Sequence, residues 1–207
     1  MQLITLQPTQ IIVPGERHLW SDDLLKVYFR MFDKGHGEDL PPVIVAKNNL
    51  VSSDGRNARL EDVVEKLSSW GSSRGRQEYT ALQITEITQA YAKFEEIIGR
   101  SPFYLIDGNH RSVAATLTSS PIYALELESN RDIAEIKRMV IRGELFNFER
   151  PENALMGIVL AFEKHILGND MGNDMHIEEC MTVKETVDKL ASSQILPQYM
   201  KDRYQIV

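Results

Sequence analysis

Phe103-Tyr104-Leu105-Ile106-Asp107-Gly108-Asn109-His110-Arg111-Ser112-Val113-Ala114-Ala115 opens with four aromatic and branched aliphatic residues, the composition of a buried strand. Asp107-Gly108 marks a tight turn, because glycine takes positive φ at no steric cost. From Ser112 to Leu117 the positions Val113, Ala114 and Leu117 fall on one helical face. The spacing predicts a strand over 103–106, a turn at Gly108 and a helix over 111–117. His110 and Arg111 then stand at the helix start.

That arrangement suits an anion. The first N–H groups of a helix have no partner within it, and the helix dipole adds partial positive charge there. Arg111 adds a planar fork of donors and His110 one more. A plainer reading stays open at this point, with Asp107 capping the helix, His110 solvated and Arg111 paired with a surface acid. On the anion reading the Arg111 side chain faces the site and not the core, so its removal weakens binding without unfolding the chain.

The segment resembles the signature of the ParB/sulfiredoxin-like superfamily. There a strand ends in an (Asp)-Gly-x-(His/Arg)-Arg turn followed by small residues on a short helix. The matching residues are Asp107, Gly108, Asn109, His110, Arg111 and Ala114-Ala115. Leu40-Pro41-Pro42-Val43-Ile44-Val45 resembles the Pro-led strand that comes earlier in that fold. Ile122-Tyr123-Ala124-Leu125-Glu126-Leu127 resembles the strand after the motif helix, and the likeness spans residues 10–142 with a large insertion.

The resemblance implies an α+β fold, a small mixed sheet flanked by helices. It also implies a nucleoside di- or triphosphate ligand, ATP/ADP or CTP, with Mg²⁺. Gly108, Asn109, His110, Arg111 and Ser112 would cradle phosphates, and Asp107 would hold the Mg²⁺ or orient the motif. Nucleotide-using members carry an acid soon after the first strand, which in the kinase branch acts as general base. Glu16 is the nearest match by position, and a solvated turn residue is its bland alternative. Glu128, Asn130 and Arg131 are suggestive of a nucleotide-touching Glu-Asn…Arg motif, although their spacing departs from it. Sulfiredoxin chemistry is excluded, because it needs a cysteine where Asn109 stands.

Composition narrows the function classes. The 207 residues suffice for one domain plus an appendage. Hydrophobic residues make up 43% and charged residues 26%, an ordinary globular balance. The net charge of −7 and the lack of a basic stripe weigh against general nucleic-acid binding. A single cysteine, Cys180, excludes an internal disulfide framework and a cysteine-cluster zinc site. No apolar run approaches membrane-spanning length, and Met1–Thr5 lacks the features of a secretory signal, so the expected compartment is the cytoplasm.

Outward from the motif, Leu3–Leu6 and Ile11–Val13 read as short strands. Ser21 caps a helix carrying Leu24, Leu25, Val27, Tyr28 and Met31. Residues 47–102 form a long insertion with two helical patterns, one at Leu60, Val63, Val64 and Leu67. The other follows a capping box at Thr80, with Ile84, Ile87, Tyr91, Phe94 and Ile98 as its stripe. Between them lies a Gly/Ser-rich basic loop whose Arg74 or Arg76 would reach a phosphate if the loop closes as a lid, and which is otherwise a linker. Asp132 caps a further helix with Ile133, Ile136, Met139 and Val140. Arg150-Pro151 marks an expected boundary between a domain over 1–150 and a helical appendage over 151–207.

Three functions stay in play. The first is a nucleotide-binding protein that cleaves or transfers a phosphoryl group, an NTPase or small-molecule kinase. The second is a DNA-associated partition or nuclease-like module switched by nucleotide, and the third an interaction protein with a degenerate site.

Overall fold

In the computed structural model the described residues are 1–13, 21–48, 81–146, 153–159 and 180–205. They form a six-stranded mixed sheet with helices on both faces. In chain order the elements are β1 (Gln2–Leu6), β2 (Ile11–Val13), α1 (Asp22–Asp33), β3 (Val43–Lys47), α2 (Ala81–Ile98) and β4 (Phe103–Asp107). Then come α3 (Asn109–Leu117), β5 (Ile122–Leu127), α4 (Asn130–Ile141), β6 (Met181–Thr182), α5 (Val183–Ser192) and α6 (Gln198–Gln205). The strand order is β1-β5-β3-β4-β2-β6, with β5·β3 and β4·β2 parallel and the other pairs antiparallel.

The central strands read as unbroken apolar runs because both of their faces are covered. Val43, Val45, Phe103, Leu105, Ile122 and Ala124 point into one core, which they share with Leu25, Tyr28, Phe29, Val113, Leu117 and Val187 of α1, α3 and α5. Ile44, Ala46, Tyr104, Ile106, Leu125 and Leu127 point into the other, with Phe94 and Ile98 of α2 and Ile133 and Ile136 of α4. The alternation is the period-two consequence of the pleat. Phe94 stacks on Tyr104 at 6.5 Å between centroids and ties α2 to β4.

The expected elements around the motif are present. β4 and α3 flank Gly108, with α3 starting two residues before the predicted helix. Ser21 caps α1 by accepting from the Leu24 N–H at 3.3 Å. In the insertion α2 is present, and the Leu60–Leu67 helix and the loop holding Arg74 and Arg76 lie outside the described residues.

The expected boundary at residue 150 needs correction. Met181-Thr182 adds a sixth strand beside Ile12 and Val13. Val183, Val187, Leu190, Leu196 and Met200 are buried in the same core as α1 and α3. The tail therefore completes the sheet and one layer and is no appendage. Two residues of strand are too short for a periodic signal, so the sequence pattern passed over β6.

Candidate functional site

The motif sits where β4 ends. Gly108 adopts φ +106° and ψ 28°, outside the range of ordinary L-residues, and so turns the strand directly into α3. A Cβ built there would meet Val43 Cγ1 at 2.6 Å and Val43 Cβ at 2.8 Å. The position thus needs glycine for its backbone angle and again for close approach to β3.

Gly108 is the N-cap of α3 and offers no side-chain acceptor. Asp107, one residue earlier, does not fill that role. Its Oδ2 accepts instead from an Arg111 guanidinium nitrogen at 2.8 Å. Among the described residues no acceptor reaches the backbone N–H of Asn109 or Arg111. Donors are left at a helix start, where the dipole favours negative charge. Asp107 and Asn109 are half-buried there, and no donor among the described residues reaches Asp107 Oδ1.

Arg111 is placed otherwise than its sequence position suggests. The side chain is 5% exposed. It donates to the carbonyl oxygens of Pro41 at 2.5 Å and Pro42 at 2.8 Å as well as to Asp107. Its Cζ lies 5.3 Å from the centroid of the Phe146 ring. Burial pulls its pKa below the usual arginine range, and the neighbouring Asp107 carboxylate opposes that pull. The expectation that Arg111 faces an open site is corrected. The guanidinium is a brace, fastening the Pro-led entry of β3 to the exit of β4.

His110 and Ser112 also turn inward. His110 is 6% exposed, and its Nε2 accepts the Ser21 backbone N–H at 3.3 Å, so that nitrogen carries no proton. This bond joins the first turn of α3 to the N-cap of α1. Ser112 is buried, and its hydroxyl donates to the Asn109 carbonyl oxygen at 2.9 Å. The imidazole and hydroxyl expected to contact phosphate are thus engaged within the fold.

His110 carries a pH consequence. Burial lowers its pKa, against the smaller upward pull of Asp107 and Asp22. The folded value lies below the unfolded one, so the stabilisation is complete above the unfolded value of about 6.5 and is lost as pH falls toward the folded one. Urea unfolding is expected to lose free energy between about pH 7 and pH 5, with a smaller loss in His110→Gln. A parent profile no steeper than that of the variant would show that His110 is not held neutral.

The remaining candidates divide. Glu16, Arg74 and Arg76 lie outside the described residues. Glu128, Asn130 and Arg131 follow the far end of β5. Asp107 pairs with Ile44 at the start of β3, whereas Leu127 pairs with Ala46 near its end, so the two loops leave the sheet at opposite ends of its strands. The structure does not bring these three residues to the motif. Asp132 accepts from the N–H groups of Glu128 and Ser129 at 2.7 and 2.9 Å, and Asn130 Oδ1 accepts from the Leu155 N–H at 2.8 Å. They organise the start of α4.

Sequence reasoning missed four residues at the motif. The Pro41 and Pro42 carbonyls hold Arg111, and a Pro-Pro pair before a strand was their only signal. Tyr28, which the sequence places only on the helix capped by Ser21, is buried beside Arg111 and Asp107, and burial raises its pKa. Phe146 follows α4 in a short stretch without periodicity, and its ring lies 6.1 Å from that of Tyr28.

Among the described residues no three His, Cys, Asp or Glu side chains gather as a metal site. Among the described residues Asp107 is the carboxylate at the motif that could hold Mg²⁺, an ion commonly bound through one or two carboxylates together with substrate phosphates. Cys180 is buried, and burial pushes its thiol up to about 12, so it is an inert core residue. No helix among the described residues is long and apolar enough to cross a membrane. Comparison with protein-family models, curated proteins and solved structures gives no match.

Proposed function

We propose that the chain is a ParB/sulfiredoxin-like nucleotide-binding protein that cleaves or transfers a phosphoryl group. One observation carries the reading. Among the described residues α3 starts uncapped on a left-handed glycine, and the neighbouring Asp107 carboxylate is drawn to Arg111. A phosphate oxygen is the acceptor such a helix start favours. The backbone N–H groups of Asn109 and Arg111 would hold it. Asp107 would hold Mg²⁺, and the chemistry that ion would supply when bound is neutralisation of the charge that develops in phosphoryl transfer.

A second reading has its own support. His110, Arg111 and Ser112 all spend their side chains inside the fold. That favours an interaction protein keeping the architecture without catalysis.

Thermal shifts with ATP, ADP, CTP and GTP in the presence of Mg²⁺ separate the two, since a ligand bound only by the folded state raises its stability. Asn109→Asp sharpens the test. A carboxylate in the first turn leaves the unliganded protein as stable as the parent or raises it by about 0.3–1 kcal/mol. The same charge repels phosphate and is expected to abolish the nucleotide shift. No shift in the parent with any of the four would sink the nucleotide reading.

A further inference from the structure

Among the described residues at the motif, Phe146 is a large apolar side chain that remains open, with 45% of its surface exposed. Its surroundings fix it in place. The preceding residue, Leu145, is buried in the core shared with α2 and α4. Arg111 Cζ lies over the ring at 5.3 Å, and the Tyr28 ring is tilted against it at 6.1 Å. Arg111 is itself held by Pro41, Pro42 and Asp107, so the ring rests on a rigid base. The cost of ordering an exposed aromatic has thus been met before any ligand arrives.

The cation under the ring adds a directional element. A guanidinium is drawn to the negative π face, which leaves the rest of the ring to the solvent side. Asp107 links this cation to the start of α3 through the Arg111 contact at 2.8 Å. Polar donors and a rigid half-open aromatic therefore stand at the same end of β4.

We infer that Phe146 is the stacking platform for a planar heteroaromatic ring, the base of a nucleotide whose phosphates lie at the start of α3. This rests on the nucleotide reading above and adds the residue that would tell a nucleotide from a bare polyphosphate. Stacking is tolerant of base identity, since each base has a π face. The platform therefore confers affinity for nucleotides as a class, with little preference for ATP over CTP.

Calorimetry on the full chain with ATP, CTP and inorganic tripolyphosphate, each with Mg²⁺, tests it. Phe146→Leu keeps apolar cover on Arg111 without a π face, and Phe146→Trp keeps the face. Phe146→Leu is expected to lower affinity for both nucleotides roughly five- to hundredfold and leave tripolyphosphate affinity unchanged. Phe146→Trp is expected to keep parent-like nucleotide affinity, with circular dichroism confirming that both variants fold. Equal losses for nucleotide and tripolyphosphate in Phe146→Leu, or no loss for either, would overturn the stacking role and leave the phosphate site standing. A parent that binds neither nucleotide nor tripolyphosphate would remove the phosphate reading and this inference with it.

Discussion

Arg111→Ala is expected to lower folding stability by about 3–5 kcal/mol, because a hydrogen bond from a charged donor contributes about 1.5–3 kcal/mol and two carbonyls and a half-buried carboxylate lose theirs. The variant strips the donor from two carbonyl oxygens, those of Pro41 and Pro42, and from the Asp107 carboxylate. It also removes the cation under Phe146 and leaves a hole between β3 and α3. For a domain whose whole stability is about 5–15 kcal/mol, the loss is a large fraction. Arg111→Lys should recover a minor part, because an ammonium on a flexible stem cannot reproduce the planar fork that reaches both carbonyls and the carboxylate. Arg111→Met restores most of the volume without the donors, so its stability should lie closer to that of Ala than of Lys. Urea midpoints for the three variants decide the matter, provided the slopes stay constant. A stable Arg111→Ala that fails only to bind nucleotide would return the guanidinium to the ligand and refute its role as a brace.

The difference between ligand and brace marks where the sequence ceases to be informative. Strand, glycine turn and helix could be read around Gly108 because each depends on local chemistry: apolar composition, freedom in φ, helical spacing. The direction of the Arg111 side chain depends on Pro41 and Pro42, about seventy residues earlier in the chain, whose carbonyls have no sequence signature. His110 repeats the lesson. A histidine beside an arginine at a helix start suggests a donor pair, yet the Ser21 N–H makes its Nε2 an acceptor. Short motifs specify a backbone path well and the use of each side chain poorly.

The tail failed for a different reason. Arg150-Pro151 reads as a boundary, since proline punctuates local structure. The core ignores that interruption, as Val183, Val187 and Met200 pack with Val113 and Leu117 of α3. Contact between segments so far apart leaves no local pattern. The converse holds for Glu128, Asn130 and Arg131. Their order after β5 suggests a place at the motif, but β4 and β5 run antiparallel within the sheet, so the chain leaves β5 at the opposite end of the strands.

Gly108→Ala is expected to be the other strongly damaging substitution, and two independent costs make it so. The backbone angle of +106° lies outside the region open to alanine, a strain of about 1–3 kcal/mol. The new methyl would lie 2.6 Å from Val43 Cγ1 and 2.8 Å from Val43 Cβ, and Val43 is itself buried in β3 and cannot move aside. Overpacking of that kind adds about 1–3 kcal/mol. Together the terms predict a loss of about 2–6 kcal/mol, largest if α3 cannot shift on its bed. The two costs can be told apart in a double-mutant cycle with Val43→Gly, which removes both Cγ1 and Cβ. Trimming Val43 relieves the clash with the new methyl and leaves the backbone strain, so the double variant should lose less than the sum of the single ones by about the overpacking cost. Strict additivity would mean that the clash is absorbed elsewhere and that φ alone demands glycine. Parent-like stability of Gly108→Ala would mean that the strand passes into α3 by another path, and the uncapped helix start on which the phosphate reading stands would go with it.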